Sequence, residues 1–279
     1  MSEKHRITGE SATRIHTARS FLFVPGNRPD RFDQAESSAA DVVICDLEDS
    51  VGTEDKDLAR ECVLKWLRKG HRAIVRLNAA DTPHFSADCD ALKELHGVGG
   101  LVLPKAEPDA LVALSERGCR DIPVVALIET ARGVQNAGMI ATTPGVERLA
   151  FGAVDYSLDI DSAQDDLALL FARSSLVVAS RAARIAAPVD GVTLNLDDAD
   201  VAGADALRAR QLGFGGKLCT HPNQIPAVNA AFAPTSEEAD WARLVVAAAT
   251  DSGAGRLGHS MIDRAVIERA QRILRWTAP

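Results

Sequence analysis

The sequence predicts an α/β chain folded as a (β/α)8 TIM barrel with a C-terminal helical extension. Three observations carry that prediction. Eight short β-branched runs alternate with helix-like segments, their spacing averages roughly 28 residues, as βαβ units require, and almost every run ends in a charged or amide residue. An open doubly wound sheet is the alternative that the same alternation allows.

The runs span 20–26, 41–47, 73–77, 100–104, 123–129, 148–152, 191–196 and 215–220. Several (VVIC, AIVRL, LVLP, VVALI) are largely or wholly apolar, which suits strands buried on both faces of a parallel sheet. Between them, 56–69, 108–117 and 165–187 read as helices, while Pro123 and the pair Gly99 and Gly100 punctuate returns to strand. Residues 97–100 read as a turn. Beyond about residue 222 the pattern changes, with Pro222, Pro226 and Pro234 breaking the chain. Thr235-Ser236-Glu237-Glu238 forms a capping box that starts a helix through about 250. A Gly-rich link over 252–258 leads to a last helix over 263–276. The expected organisation is a flexible segment at 1–18, a barrel over 19–234 and an extension over 235–279. The extension either caps the barrel or reaches a neighbouring subunit.

Composition narrows the function. The 279 residues are enough for a substantial core, and 46% hydrophobic with 25% charged residues excludes a disordered chain. The net charge of −8 and the lack of basic clusters disfavour nucleic acid, and 4% aromatics disfavour a base-stacking platform. Five scattered cysteines (Cys45, Cys62, Cys89, Cys119, Cys219) form no zinc-like spacing and read as reduced. No apolar leader or eighteen-residue apolar span is evident, so the expectation is a cytoplasmic chain without a membrane partner.

GxGxxG after a strand, GxxxxGK[ST], HExxH and GxSxG are all missing, so nucleotide-cradle, zincin and hydrolase-elbow chemistries have no support. The strand ends carry the information instead. In order they read Asn27-Arg28, Asp46-Glu48-Asp49, Arg76-Asn78, Lys105, Glu129, Asp155, Asn195 and His221. A barrel gathers such ends on one rim, where active sites of this fold are built. Glu129 and Asp155 close adjacent predicted strands. They suit a hard cation, an acid–base pair or an ion-pair network; Mg²⁺ fits because it needs few protein carboxylates. Arg76, inside the apolar AIVRLN, needs a partner or a function. It reads either as a salt bridge to Asp46 or Glu48, or as a guanidinium facing a carboxylate or developing enolate.

RSFLFVPGNRPDRF, DVVICDLEDSV, VRLNA, LVLPKAE, ALIETARGV, GKLCTHPNQI and MIDRAVIERA, in that order over about 19–274, resemble the citrate lyase β-subunit-like group of HpcH/HpaI aldolases. That group includes citryl-, malyl- and citramalyl-CoA lyases. The resemblance implies a TIM barrel, Mg²⁺ and reversible carbon–carbon cleavage of a β-hydroxyacyl-CoA into an acyl-CoA and a 2-oxo acid. It implies metal ligands at Glu129 and Asp155, and an active-site arginine at Arg76 oriented by Asp46, Glu48 and Asp49. The PGNRP loop, with Asn27 and Arg28, would lie along CoA. Asp263 of the MID motif would enter a neighbouring subunit's site as an acid–base group, which implies a homo-oligomer, a trimer or hexamer.

The chain departs from the family pattern at three places. Gly152-Ala153-Val154-Asp155 replaces the usual GTED, YSLDIDSAQDD is short, and Ala265 stands where a proline is usual. Two other readings stay open: a CoA-independent class II pyruvate-type aldolase, and a non-catalytic barrel subunit of a lyase complex.

Overall fold

The computed structural model describes residues 14–95, 98–249, 255–257 and 260–275. Eight parallel strands close into a barrel in sequence order, β1 pairing with both β2 and β8. They are β1 (Ser20–Pro25), β2 (Val42–Asp46), β3 (Ala73–Arg76), β4 (Val98–Leu103), β5 (Val124–Ile128), β6 (Val146–Phe151), β7 (Val189–Asp190) and β8 (Gly216–Cys219). Alternate residues, among them Phe21, Ile44, Ile74, Val102, Val125, Leu127, Ala150 and Leu218, form one buried cluster. The aliphatic runs therefore fill the barrel, and the helices cover their other face.

The helices follow their sequence signals closely. Lys56–Leu67 and Pro108–Glu116 match the predicted segments, and Pro108 occupies a first-turn position where a missing N–H costs nothing. Asp166–Ala183 starts at an Asp165 cap that accepts from the Ala168 N–H. It ends four residues before the predicted 187, because Arg184 turns left-handed at φ 61°.

Two expectations need correction. The turn expected at 97–100 is strand from Val98, and Gly97 lies outside the described residues. Gly100 is there for proximity: a Cβ would meet Ile15 Cδ1 at 2.7 Å and the Pro123 carbonyl at 2.9 Å. The seventh strand, expected at 191–196, is Val189–Asp190. Its expected residues give their carbonyls to side chains instead of a ladder. Lys217 Nζ donates to Gly191 O (2.6 Å), Gln224 Nε2 to Thr193 O (3.0 Å) and Asn195 O (3.1 Å), and Asn223 Nδ2 to Leu196 O (2.8 Å).

Of the segment expected to be flexible, 1–13 lie outside the described residues. Residues 14–17 form a helical turn whose Ile15 is buried in the barrel cluster. Arg148, fully buried in β6, anchors it by donating through Nη1 to Ile15 O (2.8 Å) and Ala18 O (2.7 Å), and through Nε to Ala187 O (2.5 Å). This closes the end of the barrel opposite the strand C-termini.

The chain divides into two compact units, Met1–Asn229 and Ala230–Pro279. In the second, Ser236–Ala248 begins at the capping box: Glu238 N–H donates to Thr235 Oγ1 (3.1 Å), and Thr235 N–H donates to Glu238 Oε2 (2.9 Å). An antiparallel pair, Gly255–Leu257 with Ser260–Ile262, precedes the helix Arg264–Arg275. Ala242, Val245, Ile262 and Ala270 form this unit's own core. The five cysteines are free thiols, four of them buried. Among the described residues no helix is long and apolar enough to cross a membrane.

Candidate active site

β2 and β3 lie side by side with Asp46 and Arg76 in register at their C-terminal ends. Both side chains are buried, and they meet as a two-pronged pair: Arg76 Nε donates to Asp46 Oδ1 and Nη2 to Oδ2, each at 2.6 Å. Asp46 also accepts from the backbone N–H groups of Glu48 (2.9 Å) and Ser50 (3.2 Å) and from Ser50 Oγ (2.5 Å). Burial pushes the Asp46 carboxyl up, but the Arg76 charge and these hydrogen bonds outweigh it and hold it below the usual carboxylate range. Phe23 of β1 lies under the guanidinium, 4.7 Å from Cζ to the ring centre.

The free edge of Arg76 serves two more carboxylates. Nη1 lies 3.2 Å from Asp49 Oδ2 and 3.0 Å from Glu48 Oε2, the latter an ion-pair contact without hydrogen-bond alignment. The loop carrying these acids is pinned by buried Lys56, whose Nζ donates to Leu47 O (2.8 Å) and Glu48 O (2.7 Å). Both structural and functional readings of Arg76 thus meet in one arrangement: the acids fix the fork and leave it facing the rim.

Glu129 follows β5 and is almost wholly buried. Its Oε2 accepts the Lys105 backbone N–H at 2.8 Å, and Lys105 Nζ reaches back to Glu48 Oε1 at 3.2 Å. Lys105 adopts φ 44°, a left-handed conformation unusual for lysine, which turns its N–H toward one carboxylate and its side chain toward another. Gly152 at the end of β6 makes room for Glu129, since a Cβ there would sit 2.3 Å from Glu129 Cγ. Asp155, half-buried in the first turn of Ala153–Asp159, is close enough for its charge to act on Glu129.

Charge is unbalanced here. Burial, then repulsion from Glu48, pushes the Glu129 carboxyl up to about 8, the Lys105 hydrogen bond opposes this, and Asp155 adds to the rise. Burial pushes Glu48 up to about 7 despite Arg76, and Asp49 contributes. Ionised together, Glu48, Glu129 and Asp155 would bring more negative charge than Lys105 and the free edge of Arg76 offset. The carboxylates of Glu129 and Asp155 offer the oxygen chemistry that a hard divalent cation prefers, while the group of three ligand atoms that converge within 4.8 Å among the described residues lies elsewhere, at Asp33, Glu36 and His71.

The remaining strand ends have local duties. Asn27 Nδ2 donates to Asp55 (3.0 Å), and exposed Arg28 pairs with Asp30 (2.8 Å). Asn78 Nδ2 donates to buried Asp88 (2.7 Å), Asn195 Oδ1 accepts two N–H groups of its own loop, and His221 Nδ1 accepts from Asn223 N–H. Asn27 and Arg28 therefore stand outside the carboxylate cluster. In the second unit, exposed Asp263 caps the last helix, accepting the Val266 N–H at 2.9 Å. The set chosen from sequence had no role for Lys105; the signal was its place at the end of LVLP, but its effect comes from a backbone turn that spacing does not reveal.

A closed parallel barrel with an acidic rim and a clamped arginine places the chain in the (β/α)8 class of folds. Within it, the chain belongs to the HpcH/HpaI aldolase/citrate lyase family, whose model matches residues 19–222. It is 36% identical to the citrate lyase subunit beta of Leuconostoc mesenteroides subsp. cremoris, over 92% of each chain. It is 32% identical to a (3S)-malyl-CoA thioesterase of Cereibacter sphaeroides, again over 92% of each. Among solved structures, CitE from Mycobacterium tuberculosis, in complex with magnesium, acetoacetate and coenzyme A, superposes with a TM-score of 0.80 at 34% identity, covering 93% of this chain and 97% of that one.

Proposed function

We propose that this protein is a Mg²⁺-dependent carbon–carbon lyase that reversibly cleaves a β-hydroxyacyl-CoA of the malyl, citramalyl, β-methylmalyl or citryl type into an acyl-CoA and a 2-oxo acid. The single observation that carries the reading is the pairing of an under-neutralised carboxylate set, Glu129 with Asp155, with a guanidinium held at their side by Asp46 and Glu48. The magnesium, acetoacetate and coenzyme A bound by the related CitE support it.

Glu129 and Asp155 would hold the ion. Bound there, Mg²⁺ supplies Lewis acidity toward the substrate's carboxylate and hydroxyl oxygens. In cleavage a base takes the hydroxyl proton, the new carbonyl belongs to the 2-oxo acid, and the electron pair of the broken carbon–carbon bond passes to the acyl-CoA enolate. Arg76, immobile in its carboxylate bracket, stabilises negative charge as it moves. Asp46 and Glu48 position that fork. Lys105 steadies the Glu48 and Glu129 carboxylates. Arg28 would exchange Asp30 for a CoA phosphate, with Asn27 beside it. Asp263 from a second copy in a homo-oligomer would protonate the enolate carbon, or remove that proton in condensation.

Assaying the four thioesters with Mg²⁺ and with EDTA tests the reading. Metal-dependent turnover of at least one is expected; turnover of free hydroxy-oxo acids without CoA would favour the pyruvate-type aldolase, and no turnover the non-catalytic subunit. A second reading, thioester hydrolysis, rests on the 32% identical malyl-CoA thioesterase. Asp263→Asn sharpens the role of the tail. Asn caps a helix as well as Asp, so stability should hold while turnover falls about 10²-fold or more. Unchanged turnover would leave Asp263 a cap.

A further inference from the structure

The pole of the strand N-termini carries a cluster that the chemistry of the rim does not use. The short helix Phe32–Glu36, between β1 and β2, places Asp33 and Glu36 three residues apart, on one side of a turn. The helix Lys56–Leu67 ends beside it. Gly70, left-handed at φ 98°, then turns the chain back, and His71 meets the two acids two residues before β3 begins. One ligand atom each from Asp33, Glu36 and His71 lies within 4.8 Å of the other two. The nearest pair is His71 Nδ1 and Glu36 Oε2, 2.7 Å apart.

These ligand atoms are held from behind by one buried side chain. Trp66 stacks flat on the His71 ring, with centroids 4.5 Å apart and planes 6° from parallel. The same indole donates through Nε1 to Asp33 Oδ1 at 2.8 Å, and Asp33 Oδ2 has no hydrogen-bond partner among the described residues. Phe32 packs on the indole at 5.3 Å and keeps it from swinging. An imidazole and a carboxylate are thus oriented by a single anchor, as the partners behind metal ligands orient them. A plain ion pair asks for less. His71 needs one carboxylate and faces two, so even a protonated ring leaves the cluster with net negative charge.

The donor types choose the ion. Carboxylates alone would suit Mg²⁺ or Ca²⁺, whereas an imidazole nitrogen among them shifts the preference toward zinc and its neighbours. We propose that Asp33, Glu36 and His71 bind a zinc-type divalent transition-metal ion at the pole opposite Glu129 and Asp155, with water in the fourth position. The ion replaces the proton between His71 Nδ1 and Glu36 Oε2, and that proton leaves to solvent. Two ligands about 2.0 Å from a tetrahedral ion stand about 3.3 Å apart, so this pair opens by roughly 0.6 Å, a shift that partly exposed side chains accommodate. Bound there, the ion clips Phe32–Glu36 to the end of Lys56–Leu67 and supports the fold rather than the reaction.

The metal alone is the probe, added to the full chain carrying Asp155→Asn so that the rim does not compete. Calorimetric titration with Zn²⁺ should give one ion per chain, bound about tenfold or more tighter than Mg²⁺. Free Zn²⁺ at a hundred times its Kd should raise the melting temperature by about 5 °C or more. Cu²⁺, which quenches a nearby indole, should dim the tryptophan fluorescence through Trp66. Adding His71→Gln or Glu36→Gln should remove the stoichiometric zinc, the melting shift and the quench. Without metal, these variants should melt within about 3 °C of their parent, because a partly exposed pair carries little stability. Zinc bound equally well after His71→Gln would put the ion elsewhere. Mg²⁺ bound as tightly as Zn²⁺ would make this an oxygen site, and no binding at all would leave an ion pair stacked on Trp66. Each of these three results overturns the proposal.

Discussion

Two arginines are buried in this barrel, one at each pole, and they are held in opposite ways. Arg76, the last residue of β3, is bracketed by Asp46, Glu48 and Asp49. Arg148, third in β6, has carbonyl partners at Ile15, Ala18 and Ala187, with the Phe21 ring 5.3 Å away. Carboxylates raise the Arg76 guanidinium above its ordinary value despite burial; burial pushes Arg148 down, to about 9, with little opposition from Asp41. One pole gathers charge that can act on a ligand. The other uses a single cation to tie the N-terminal segment and the start of β7 to the floor. Position within the strand, rather than the charge, separates the two roles.

The largest expected effect is at the acidic pole. Glu129→Gln and Asp155→Asn each exchange an anionic oxygen for a neutral amide, so Mg²⁺-dependent turnover should fall about 10³-fold with the fold intact. Steady-state kinetics with circular dichroism check this, and full activity of the native protein in EDTA would remove the metal from the account. Arg76→Lys comes next. The charge is kept but the fork is lost, and a drop of about 10²-fold in kcat is expected, larger than any change in stability. Near-native turnover would make Arg76 as structural as Arg148.

At the opposite pole the effect should reverse in kind. Arg148→Met leaves buried carbonyls without donors, at a cost of about 3 kcal/mol, or roughly 10 °C in melting temperature for a domain of this size. Turnover by the protein that remains folded should stay within about twofold of native. If activity is lost with no change in melting, the two poles are not separate.

The smallest effect is one of pH on the metal-free protein. The folded-state values of Glu129, about 8, and Glu48, about 7, lie above the ordinary 4.5. The folded chain therefore holds more protons than the unfolded one across this range. The stabilising contribution is complete below about 4.5 and is lost as pH rises through about 7 to 8. Melting temperature should fall from pH 6 to pH 9, Mg²⁺ should restore more of it at pH 9, and Glu129→Gln should flatten the fall. An equally steep fall in that variant would place the titration elsewhere.

The two arginines also mark how far the sequence can be read. A charge inside an apolar run singles out Arg76 in AIVRLN; Arg148 stands inside VERLAF in the same way, but the predicted run begins at 148, where a charge reads as a strand edge, whereas the strand begins at Val146. Periodicity found the barrel because aliphatic strands buried on both faces leave an unbroken apolar signature. It misplaced β7, whose next residues alternate like a strand but give their carbonyls to Lys217, Gln224 and Asn223, donors far along the chain. Lys105 escaped for a related reason. Its contribution comes from φ 44° and an N–H aimed at Glu129, and neither has a pattern in the residues themselves.

The central claim is that the acidic pole breaks a carbon–carbon bond. The most direct measurement takes the thioester turned over fastest and follows two products together, the 2-oxo acid as its hydrazone and the free CoA thiol. The account predicts 2-oxo acid formed mole for mole with substrate consumed, dependent on Mg²⁺, without release of free thiol, and abolished in Glu129→Gln. Free thiol appearing without 2-oxo acid would contradict it and make the protein a thioesterase.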